Sequence, residues 1–113
     1  MRIQNTKQLR SAYRCYENLT NETDIYEAYR NPSVFKVRAW EYCKQLAIDH
    51  DGTAPEILGH NCMAFSVGFV GYIDGLKHFF CITKDHDRAL PLETTDKETG
   101  EVIDLTTNIL YGN

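Results

Sequence analysis

Hydrophobic positions change period near Gly52: before it they recur every three or four residues, and beyond it they alternate or run together. Leu9, Ala12, Tyr13 and Tyr16 repeat at helical spacing behind Asn5 or Thr6, either of which can cap, and predict a first helix to about Leu19. Its other face carries Lys7, Arg10, Arg14 and Glu17, an ordinary solvated stripe. The polar run Thr20 to Thr23 breaks the pattern, and Thr23 or Asp24 can cap a short second helix, Ile25 to Arg30. Asn31-Pro32 opens a third, since proline suits the first helical position, and Gly52 closes it just after His50. Phe35, Ala39, Tyr42, Cys43, Leu46 and Ala47 form its apolar stripe, with Trp40 at the margin.

The second half is organised around Asp74-Gly75, a dipeptide suited to the positive φ angles of a two-residue type I′ turn. That turn sets a register in which Ile73 faces Leu76, Phe69 faces Phe80, Val67 faces Ile82, Phe65 faces Lys84 and Met63 faces His86. Side chains alternate along a strand, so Phe65, Val67, Phe69, Ile73, Leu76, Phe80 and Ile82 share one face, and the third helix is the natural cover. His60, Cys62, Phe79, Cys81, Asp85 and Asp87 fall on the other, more open face. In a strand, Gly68 and Gly71 can relieve crowding beside large partners, allow a bulge or let another backbone come close. Ala89 to Leu92 can extend the sheet, with Pro91 confining it to an edge or a strand start; Asp96 to Gly100 reads as a loop and Glu101 to Leu105 as a last strand, giving a second hairpin. Thr106 to Asn113 fits a strand, a turn or a frayed tail. The expected fold is α+β, one domain over 1–113, with two or three N-terminal helices packed on one face of a small antiparallel sheet built on the 60–88 hairpin.

Charge sharpens the division between the halves. Residues 1–50 hold eight Lys/Arg against six Asp/Glu, whereas the remainder holds four against ten. Binding duplex nucleic acid by phosphate neutralisation calls for a basic excess that this chain, at net −4, lacks overall. The alternative that it does bind nucleic acid would use Lys7, Arg10, Arg14, Arg30, Lys36, Arg38 and Lys44 of the helical half. Four cysteines, at 15, 43, 62 and 81, include no CxxC pair, and no apolar run is long enough to cross a bilayer. A cytoplasmic protein with reduced thiols is expected, with no membrane association, as a monomer or homodimer.

Two chemistries can be built from the residues. His60 and Cys62 point the same way on one strand, and the register brings Asp85 and Asp87 opposite; imidazole, thiolate and carboxylate are all zinc ligands, so His60, Cys62, Asp85 and Asp87 form a candidate zinc set. A one-residue bulge would substitute His86 for an aspartate. Cys62 beside His60 or His86 also supplies a nucleophile and a base, but no glycine-rich elbow or oxyanion turn accompanies them, so no enzyme is expected. Gly68 and Gly71 lack the spacing and the GK[ST] of a phosphate loop.

The strings NTKQLRSAY, DIYEAYRNPSVFKVRAWEYC, GHNCMAFSVGF and ITKDHDR together resemble a small family of uncharacterised proteins carried on phages and mobile elements of gut Firmicutes. That resemblance implies a non-catalytic binding protein, most concretely an inhibitor of the anti-CRISPR type that blocks nucleic-acid loading or cleavage by a Cas effector such as Cas9. An acidic surface suits a channel lined with Lys and Arg. The surface expected to dock is Asp85, Asp87, Glu93, Asp96, Glu98, Glu101 and Asp104.

Overall fold

A computed structural model of the chain describes residues 6–19, 34–60, 65–83 and 86–111. Among the described residues two helices precede the strands: α1, Thr6–Leu19, and α2, Val34–Asp49. Six strands follow, β1 Glu56–His60, β2 Phe65–Ile73, β3 Leu76–Thr83, β4 Asp87–Pro91, β5 Glu93–Thr95 and β6 Val102–Asp104, and then α3, Thr106–Tyr111. The expected helix at Ile25–Arg30 lies outside the described residues. Strands β1 to β4 form one antiparallel sheet in chain order, and β5 pairs with β6 in a second.

The central hairpin keeps the expected register. Ile73 pairs with Leu76, Phe69 with Phe80 and Val67 with Ile82. The turn has φ of 53° at Asp74 and 78° at Gly75, the doubly positive pair that matches the right-handed twist of the strands it joins. Alternation then places Phe65, Val67, Phe69, Phe80 and Ile82 in one buried cluster with Trp40, Cys43 and Ala47 of α2. Phe69 and Phe80 stack across the ladder with ring centroids 4.7 Å apart. Trp40, at the margin of the predicted stripe, is buried, whereas Tyr42 inside it is exposed. Its phenol reaches past the sheet edge, where the hydroxyl donates to Asp87 Oδ2 at 2.7 Å.

The helices do not gather on one face, as the sequence led us to expect. Leu9, Tyr13 and Tyr16 of α1 join Phe79, Cys81, Leu90 and Leu92 in a second cluster, built from the residues that alternate with the first. The face expected to stay open is therefore covered, because Phe79 is too large an apolar group to leave in water. Tyr13 meets its ring edge-on at 5.3 Å and Tyr16 lies at 5.4 Å. The sheet is the middle layer of three.

Glycines permit this double cover. A Cβ on Gly68 would stand 2.8 Å from the Phe79 ring, and one on Gly71 would stand 3.2 Å from the His50 carbonyl oxygen. The close backbone at Gly71 is the exit of α2, which runs beside β2: Tyr72 N–H donates to His50 O at 2.8 Å and Thr53 N–H to Val70 O at 2.8 Å. The helix stops in a Schellman arrangement, Gly52 N–H bonding Ala47 O at 2.6 Å, with Asp51 at φ 50° taking the left-handed position. No helix among the described residues is long and apolar enough to cross a membrane.

Candidate functional site

Of the predicted zinc set, the structure describes the backbone of His60 and the whole of Asp87. His60 does not continue into β2; it ends β1, a separate strand, and pairs with Phe65 across the ladder. Asp87 does not lie across from the β2 side either, but opens β4 opposite Ile82. Thr83, the last described residue of β3, is bonded to His86: Thr83 N–H and Oγ1 donate to His86 O at 2.9 and 3.0 Å, and His86 N–H donates to Thr83 Oγ1 at 3.1 Å. Asp87 stands on the α2 side, where Tyr42 occupies one of its oxygens. Cys62, Asp85 and the His60 side chain lie outside the described residues. Among the described residues no group of three His, Cys, Asp or Glu side chains is placed to share an ion.

Cys15, Cys43 and Cys81 are free thiols. Burial pushes Cys43 up to about 12, and it pushes Cys81 up to about 11 against the opposing pull of Arg88. Both therefore remain protonated at neutral pH and behave as small apolar groups.

The acidic residues divide by position. Glu93, Asp96, Glu98, Glu101 and Asp104 come together on the β5–β6 hairpin, whereas Asp87 is at the far end of β4, about 13 Å from Pro91 at the usual strand rise. Asp85 lies outside the described residues. Within the hairpin, three acids hold the backbone. Glu93 accepts from Lys77 N–H at 2.9 Å, Asp96 Oδ1 accepts from Glu98 and Thr99 N–H at 2.7 and 3.1 Å, and Asp104 Oδ1 accepts from Thr106 N–H at 2.8 Å at the start of α3. The Glu98 and Thr99 N–H groups hold the Asp96 carboxyl below the usual range, and the Thr106 hydroxyl, then its N–H, do the same for Asp104. Glu98 and Glu101 are exposed at the tip.

What the sequence did not foretell is how bare this hairpin is. Neighbouring strand residues point to opposite faces, so on a covered sheet one of Val102 and Ile103 would be buried. Instead they are 58% and 41% exposed, in a strand with no buried residue. The base, in contrast, is fixed: Leu92 is fully buried, Leu105 N–H donates to Leu92 O at 2.8 Å, and Ile109 of α3 is buried in the α1-side cluster. Tyr111, the last residue of α3, is 81% exposed. The available signal was the string Glu101-Val102-Ile103-Asp104, two adjacent apolar residues between acids, which breaks the alternation of a half-buried strand.

The basic residues are divided by the fold. Lys7, Arg10 and Arg14 ride on α1 over one face of the sheet, and Lys36, Arg38 and Lys44 ride on α2 over the other. Lys44 is ion-paired with Glu41 at 3.0 Å. Arg30 lies outside the described residues.

No family profile matches this chain, and neither curated proteins nor solved structures yield a match.

Proposed function

We propose that this is a non-catalytic cytoplasmic binding protein that docks on a basic protein surface through the β5–β6 hairpin. The observation that carries the reading is the exposed Val102–Ile103 pair, set beside Glu98 and Glu101 on a ribbon whose base is anchored to the core. Exposed apolar residues with a charged rim are the usual make-up of a docking patch, and the acids steer it toward Lys and Arg. The concrete partner is a CRISPR effector nuclease such as Cas9, whose nucleic-acid channel is lined with basic groups; occupancy of that channel would block loading or cleavage. The division of the basic side chains between two helices on opposite faces of the sheet counts against the nucleic-acid alternative.

The test is capture of a purified Cas9-type effector by the full chain, with target cleavage as a second readout. Capture and inhibition are expected for the wild type and loss of both for Glu98→Lys/Glu101→Lys at unchanged melting temperature. Absence of wild-type capture, or capture indifferent to the reversal, refutes the proposal.

A further inference from the structure

At the end of the sheet remote from the Asp74–Gly75 turn, α1 and the strands part to leave a cleft of about 200 Å³. Leu9 of α1 and Cys81 of β3, both buried, lie deep in it, and Gln8, Ser66, His86 and Arg88 line it with polar groups. Arg88 reaches this face because it pairs with Cys81 across the β3–β4 ladder. Its charge is felt by the Cys81 thiol, opposing the effect of burial.

Two features fix what the cleft suits. In a chain with sixteen carboxylates, none is among the described residues that line it, whereas a guanidinium is. Its volume is below the ~300 Å³ at which drug-sized pockets begin. We propose that this cleft binds a small oxyanion, a carboxylate or phosphate group, with Arg88 as its principal contact and the Ser66 hydroxyl and Gln8 amide beside it. Arg88 interacts within the protein as well. A guanidinium carries five N–H donors in a fork whose geometry matches carboxylate and phosphate oxygens.

The experiment is an amide NMR titration of the full chain with sodium phosphate and, separately, sodium acetate, with chloride holding the ionic strength constant. Saturable shifts confined to Ser66, Cys81 and Arg88 are expected, with Kd on the order of 1 mM, a binding free energy of about −4 kcal/mol. The tighter of the two anions names the class. Arg88→Gln should weaken that binding at least tenfold, and Arg88→Lys, which keeps the charge but loses the fork, by a smaller factor. Shifts scattered over the surface, no saturation in the wild type, or equal affinity in a folded Arg88→Gln protein overturns the assignment. Should Arg88→Gln fail to fold, the Lys variant and the wild-type preference over chloride decide the matter.

Discussion

The four-stranded sheet and the β5–β6 hairpin are made by the same backbone pairing and have opposite fates. In the sheet, Phe69 and Phe79 point to opposite faces and both are fully buried, because α2 covers one face and α1 the other. In the hairpin, Val102 and Ile103 also point to opposite faces, and both meet water. Pairing alone therefore decides neither burial nor role. A two-stranded ribbon has little stability by itself, so this one persists through its base at Leu92, Leu105 and Ile109 and through the carboxylate caps at Asp96 and Asp104. The sheet buries the two core clusters, and the ribbon displays Val102 and Ile103 to solvent.

The sharpest way to break this contrast is to empty each side of the sheet. Phe69→Ala and Phe79→Ala should each destabilise the protein by about 3–5 kcal/mol in urea unfolding. Similar losses would show that both faces are true core; a loss below ~1 kcal/mol for Phe79→Ala would return that face to the open state the sequence suggested. Gly68→Ala tests the tightness of the same packing. Its Cβ would press on the Phe79 ring, and a cost of about 1–3 kcal/mol is expected in the same assay.

At the hairpin, substitutions should do little to stability. Val102→Ser with Ile103→Ser is expected to change the unfolding free energy by less than about 0.5 kcal/mol per site while abolishing capture of the basic partner. A large stability loss would mean that the ribbon belongs to the core after all. The smallest effect concerns acid. Asp96 and Asp104 have folded-state values below the unfolded one, so their contribution is present above pH ~4 and is lost as pH falls through the lower folded values. Asp96→Asn/Asp104→Asn should flatten the acid limb of urea midpoint against pH and leave its slope above pH ~5 unchanged.

Local chemistry determined much of the architecture in advance. The Asp74–Gly75 turn set the register from Ile73–Leu76 to Val67–Ile82, and helical spacing marked α1 and the body of α2, since turn geometry and side-chain period act over a few residues. Tertiary structure decided what such rules cannot reach. It placed α1 over Phe79 rather than beside α2, and began β4 at Asp87 opposite Ile82. It moved Asp87 to Tyr42 and left Val102 and Ile103 uncovered. The reason is that a strand pattern says which residues share a face, whereas what covers that face depends on contacts between segments far apart in the chain.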